Sequence, residues 1–239
     1  MVIWSKVDKP GHNARAALSY DRIAAAGVEL ADAEGLEAVS MRKVAARLGA
    51  GTMSLYRYVE SRDDLVDLMV DRVYGESVAF ERTGRWREDL AEVARRSRRV
   101  ALVHTWLAGY AASRGALGPN LLRMIESTLG LVDGYGLHID QMLDAWMIVQ
   151  TFTQGYVLHE IAEAESRRRT GLDEEGWRRH QGPWIRQIIA SGRYPLVTRV
   201  VLDAEDLPDR DVVFERRLAY VLDGLSSLLD SGDPGDVGT

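Results

Sequence analysis

Residues Ser40 to Tyr58, SMRKVAARLGAGTMSLYRY, carry Arg42, Lys43, Arg47 and Arg57 with no acidic residue among them, in a chain of 239 residues whose formal net charge is -6. Guanidinium and ammonium groups beside the hydroxyls of Thr52, Ser54, Tyr56 and Tyr58 are the donors that phosphate oxygens and base edges accept from. The chemistry they point to is recognition of a polyanion. A local basic face on an acidic body suits binding at one site more than coating any anionic surface.

Two short helices must position these groups. Ser40 is placed to cap a helix from Met41 to Leu48, in which Val44, Ala45 and Leu48 share one face. Gly49 can take the left-handed conformation that ends it. Thr52 is placed to cap a second helix, Met53 to Tyr58, with Leu55 facing the first. The small residues Gly51 to Ser54 let the backbone come close to a groove, Tyr56, Arg57 and Tyr58 can reach phosphates, and Arg42 suits phosphate or guanine. On spacing alone, an αα-corner that merely packs is an equal alternative. The flanks add weight to the groove reader: Ser19 opens a helix with Ile23, Ala26, Leu30 and Ala33 in one stripe, closed by Gly35. Ser61, with Asp64 three residues on, opens another along Leu65, Leu68, Met69 and Val73.

Residues 18 to 73 together resemble the DNA-binding domain of the TetR family of transcriptional repressors. The likeness is carried by Met41-Arg42-Lys43-Val44-Ala45, Leu48-Gly49, Leu55-Tyr56 and Arg62-Asp63-Asp64-Leu65. It implies that Thr52, Met53, Ser54, Tyr56, Arg57 and Tyr58 line the recognition helix, with Arg42 near base edges or phosphate. Arg62 stands where the family usually has a lysine that contacts phosphate.

The chain is long enough for two domains. No apolar run approaches the roughly 18 residues of a membrane span, the N-terminus lacks a signal-peptide core, and the absence of cysteine excludes disulfides and thiolate metal sites. A cytoplasmic, all-α protein without cofactor is expected. Its parts are an N-terminal arm (1–17), a three-helix helix-turn-helix domain (18–74), a larger helical ligand-binding and dimerisation domain (75–230) and a disordered tail (231–239).

From Trp86 onward the pattern is helical. One helix runs through Leu102 with Arg95, Arg96, Arg98 and Arg99 on its wet side. Another opens at Pro119 and runs to about Asp133 with Leu122, Ile125, Leu129 and Val132 inward. Residues 139 to 169 form a long helix whose apolar residues are too widely spread for one neighbour, and 212 to 229 repeat that situation, so a four-helix interface between two subunits is expected. The segment Gly171 to Pro183, with Trp177, reads as an irregular loop.

The candidate pocket residues are His104, Trp106, Met124, Trp146, Gln150, Thr153, Gln154, Tyr156 and His159. Aromatic walls with a few polar groups suit a planar organic effector, with core or dimer packing as the alternative for each. His159-Glu160-Ile161-Ala162-Glu163 has the outline of a zinc-hydrolase helix but lacks its second histidine. Leu137, Phe152-Thr153-Gln154-Gly155 and His159-Glu160 resemble the subgroup containing the tetracycline repressor. His159 replaces the glutamate that there helps hold magnesium, which argues against the same drug–metal complex. The resemblance implies a homodimer on double-stranded palindromic operator DNA, released by a small molecule. Activation of genes, or control by a protein partner, stays open.

Overall fold

The computed structural model describes residues 3–4, 18–77, 80–111, 117–204 and 209–229, and these contain helices and no strand. The helices are α1 (Tyr20–Glu34), α2 (Met41–Arg47), α3 (Thr52–Tyr56), α4 (Arg62–Gly75), α5 (Trp86–Val103), α6 (Thr105–Ala111), α7 (Pro119–Leu129), α8 (Ile139–Thr170), α9 (Glu174–Ala190), α10 (Pro195–Asp203) and α11 (Arg210–Leu229). A single 3-10 turn, Leu36–Ala38, follows α1.

Local chemistry explains the early boundaries. The Ser19, Ser40 and Ser61 hydroxyls accept from the backbone N–H groups of Arg22, Lys43 and Asp64, so three of the first four α-helices begin on a serine that satisfies an orphan donor. Gly49 has φ 65°, the left-handed turn expected between α2 and α3.

The chain forms two compact units, Met1–Leu158 with Tyr220–Thr239, and His159–Ala219. In the first, Ile23, Ala26 and Leu30 of α1, Val44 and Ala45 of α2, Leu55 of α3, and Leu65, Met69 and Val73 of α4 share one core with Trp106 and Leu107. Helix α4 is the centre of this core, with Leu65 to Val73 buried apart from Asp67 and Arg72. It lies so close to α1 that a Cβ on Gly27 would stand 2.6 Å from the Met69 sulfur. Of the expected N-terminal arm only Ile3 and Trp4 are described, and Ile3 is buried in this core. The rest of the arm and the expected tail lie outside the described residues.

In the second unit, Asp173 caps α9 by accepting from the Gly176 N–H at 2.7 Å. Glu163, at the position of the missing zinc-site histidine, pairs with Arg210.

Several expectations are corrected. Ala33 is exposed, and the inner face of α1 runs through Ala31 instead. Helix α7 stops at Leu129, and its buried face is Met124 and Thr128, whereas Leu122 is half exposed. The segment expected as a loop is helical from Glu174 onward with Pro183 inside it. Proline removes one N–H bond and crowds the carbonyl one turn earlier, a local cost that a long helix can absorb.

Gly27→Val places branched carbons where only Met69 can yield. Overpacking of this kind should destabilise the fold by about 1–3 kcal/mol. Urea unfolding checks this; an unchanged midpoint would mean that α1 and α4 do not pack this closely.

Candidate nucleic-acid interface and ligand cavity

Helix α3 is held by one anchor, Leu55, which is fully buried, while Met53 is 78% exposed and Tyr56 43%. Gly51 occupies the N-cap with no side-chain bond, and Thr52 is the first helical residue, one position earlier than expected. A cap without a side chain leaves the amides at the tip of α3 open to an acceptor such as a phosphate or base edge. Arg57 Nη2 donates to Ser54 Oγ at 3.5 Å. Tyr58 lies past the helix, its ring half-buried edge-on against Tyr20 with centroids 5.6 Å apart. Its ring is therefore part of the support for α3.

The cations sort by partner. Arg42 is exposed and has no ion-pair partner among the described residues. Lys43 pairs with Glu34 at 2.7 Å and Arg47 with Glu29 at 2.9 Å, both exposed contacts to α1. Such pairs contribute little to stability. Arg62 donates through Nε to the Val39 carbonyl at 3.0 Å and through Nη2 to the Leu36 carbonyl at 2.8 Å. Its guanidinium thus ties α4 to the 3-10 turn, a role that spacing alone did not indicate.

At the far end of α4 the polar chemistry is buried. Asp71 Oδ1 accepts from the backbone N–H groups of Asn120 at 2.9 Å and Leu121 at 3.1 Å, so a side chain of α4 caps α7. Burial raises the pKa of this carboxyl above its ordinary value, while the Leu121 and Asn120 amides and Arg123 oppose the shift. His104, at the α5–α6 junction, has Nδ1 2.8 Å from Asp32 Oδ1 and Nε2 3.2 Å from Glu76 Oε2. Trp106 Nε1 donates to the same Asp32 oxygen at 2.8 Å. Tyr110 donates to Asp67 at 2.7 Å. Burial, then this carboxylate, push the phenol's pKa well up.

Between α4, α5, α6, α7 and α8 lies a cavity of about 250 Å³. Of the expected pocket residues it brings together Met124, Trp146, Gln150, Thr153 and Gln154, and it leaves out His104, Trp106, Tyr156 and His159. His104 and Trp106 are occupied with Asp32. Tyr156 lies under the guanidinium of Arg98, 5.7 Å from ring centroid to Cζ, and His159 is exposed. Unanticipated lining residues are Val70 and Tyr74 of α4, Tyr110 of α6 and Leu121 of α7. Val70 belongs to a helix read as core, and no periodicity distinguishes a wall facing a core from a wall facing a void. Asp71 carried a readable signal, since an acid three residues past Leu68 on a buried stripe needs a partner.

An exposed, acid-free helix pair with its second helix presented from a small domain defines a helix-turn-helix DNA-binding regulator. The model for bacterial regulatory proteins of the tetR family matches residues 23–69, and the model for the tetracyclin repressor-like C-terminal domain matches residues 80–229. The chain belongs to the TetR family of transcriptional regulators. It is 38% identical over 230 residues to the HTH-type transcriptional repressor DrrR1 of Streptomyces coeruleorubidus, covering 95% of this chain and 84% of that one. Apo ActR of Streptomyces coelicolor superposes with a TM-score of 0.71 at 31% identity, over 94% of this chain and all of that one. ActR in complex with actinorhodin superposes with a TM-score of 0.68 at 32% identity, over 91% and 100%. Among the described residues no helix is long and apolar enough to cross a membrane.

The raised pKa of Asp71 gives a signed expectation. A carboxyl whose folded value exceeds its unfolded one contributes stability that is complete below the unfolded pKa and is lost as pH rises through the folded one. Asp71→Asn keeps an acceptor for both amides, so its stability relative to the native chain should improve as pH climbs from about 4 to 7. Urea midpoints across that range test it, and a pH-independent difference would show that burial does not govern this carboxyl.

Proposed function

We propose that this chain is a ligand-responsive repressor that binds a palindromic operator as a homodimer and leaves it when a small hydrophobic or aromatic molecule fills the cavity. The observation that carries this reading is that one helix serves both sites. The N-terminal half of α4 supports α2 and α3 within the shared core, while Val70 and Tyr74 near its other end form cavity wall. A molecule seated between those residues and Leu121 and Met124 presses on both helices that the Asp71 cap joins. Displacing α4 there moves the reading helix, so effector and operator oppose each other by a reciprocal coupling free energy, typically about 1–3 kcal/mol. The repressor named among the relatives, and the ActR complex with actinorhodin, support both halves of the scheme.

Residues 18–74 act as the reading head and 75–230 as the effector and dimerisation part. Within the head, Arg42, Gly51, Thr52, Met53, Ser54, Tyr56 and Arg57 meet DNA. Arg62 and Tyr58 hold the head together, and Arg62 keeps further N–H donors for a phosphate. Exposed apolar residues of the first unit, Leu143 and Met147 on α8 and Tyr220 on α11, supply a surface for a second copy. Two heads about 34–36 Å apart then enter successive major grooves.

Fluorescence anisotropy with duplex from upstream of the gene, against a scrambled duplex at two salt concentrations, tests the reading. Tight binding to the native duplex alone is expected, and equal, steeply salt-dependent binding to both would reject specific readout. Tyr56→Ala should weaken binding to all duplexes alike, whereas Thr52→Ala and Arg42→Ala should cost about 1–3 kcal/mol and relax preference at individual base pairs. Uniform loss from all three would refute the assignment of base readers.

A further inference from the structure

Lys43 and Arg47 stand four residues apart on one side of α2, and each meets an acid of α1. Lys43 Nζ lies 2.7 Å from Glu34 Oε2, and Arg47 Nε lies 2.9 Å from Glu29 Oε2. All four side chains are exposed. Arg42, one residue before Lys43 and so turned about 100° away from it, has no ion-pair partner among the described residues. The cations of α2 therefore fall into two classes, one open to an incoming anion and one already answered.

The first helix of a helix-turn-helix crosses the DNA backbone, which brings its cations to phosphate distance. A phosphate oxygen must then compete with the carboxylate for the same N–H donors. Parting the pair costs little, since exposed pairs are weak. What it leaves behind is an unpaired carboxylate beside a phosphate, well inside the roughly 10 Å over which charges act at 0.1 M salt. The acid cannot withdraw with its helix. Leu30 and Ala31 are buried in the core, and Asp32 accepts from Trp106 Nε1 at 2.8 Å, so the stretch of α1 from Glu29 to Glu34 is fastened on its inner side. Attraction by the freed cation and repulsion by its abandoned partner then nearly cancel.

We propose that Glu29 and Glu34 act as an electrostatic brake on DNA binding. They hold Lys43 and Arg47 out of the count of phosphate contacts and weaken binding to every duplex alike, leaving base preference to Arg42 and α3. The inference rests on the operator-binding reading above. Phosphate contact supplies nearly all non-specific affinity, so such a limit serves a regulator that must find one operator among the many competing sites of a chromosome.

The salt dependence of binding counts phosphate contacts, at a slope of about -0.9 in log affinity against log salt for each. Fluorescence anisotropy of the full chain, with the upstream and the scrambled duplex between about 50 and 200 mM salt, reads that slope. Glu29→Gln and Glu34→Gln should each steepen it by about 0.9 on both duplexes, and the double variant by about 1.8, so that its gain in affinity shrinks about 12-fold across the range. Lys43→Gln should leave the slope of the native chain unchanged and should cancel the steepening in the Glu34→Gln background. Glu37→Gln removes an exposed acid of the same domain that has no ion-pair partner among the described residues, and it should leave the slope as it is. An unchanged slope in the double variant overturns the brake. Equal steepening from Glu37→Gln also overturns it, by tracing the effect to net charge alone, as does a gain confined to the upstream duplex, which would make the acids part of base reading. A native chain that binds neither duplex overturns the operator reading and the brake with it, whereas failure of the brake alone leaves native binding in place.

Discussion

One buried carboxylate sets the relation between the two ends of the functional core. Asp71 stands on α4 and closes the N-terminus of α7, replacing water at amides that the helix cannot satisfy itself. The fit is tight, because a Cβ on Gly118 would lie 2.2 Å from the Asp71 oxygen, so only glycine serves at the approach to α7. With Met69 pressed on Gly27 and Val70 on the cavity, α4 has little freedom to move without carrying α1 or α7 along. Packed interiors transmit displacement because they are dense. A helix anchored at both ends is suited to carry a signal.

The two candidate sites use opposite electrostatics for reasons set by their solvents. The reading face is wet, so its cations are screened, and two of the four in the segment are engaged with α1 acids that contribute little to stability. Arg42 and Arg57 carry no ion pair with an acid among the described residues, and the tip of α3 has no side-chain cap. The cavity wall is uncharged among the described residues, so an ion there would give up water without gaining a counter-ion. Ions near it, Asp67, Asp71 and Arg98, turn to a phenol, to backbone amides and to the face of Tyr156.

Legibility followed range. Serine caps and the glycine turn act within four residues, and all three serines and Gly49 do in the fold what their spacing implied. The start of α3 moved by one residue because Gly51 and Thr52 are adjacent and either can stand at the N-cap. Helix α9 was hidden by Gly176, Gly182 and Pro183, since three breakers outweigh a helix-forming background locally while the chain continues through them. Of the face expected inward on α7, Leu122 is exposed while Ile125 and Leu129 are half-buried and Val132, past the helix end, is buried; Met124 and Thr128 take the fully buried positions within the helix.

The sequence by itself determined an all-α chain, the position of the helix-turn-helix and its serine caps, the acid-free face of α2 and α3, and a long helix with more apolar surface than one neighbour can cover. These depend on periodicity, short-range hydrogen bonds and net charge, which a linear string carries. Only the tertiary structure decided which aromatics face a void. It turned His104 and Trp106 to Asp32, some 70 residues away, gave Trp146 to the cavity, and made Arg62 and Asp71 the fasteners of α4. Those assignments turn on which side chain reaches which distant carbonyl, amide or carboxylate, and that is fixed when the helices close on one another.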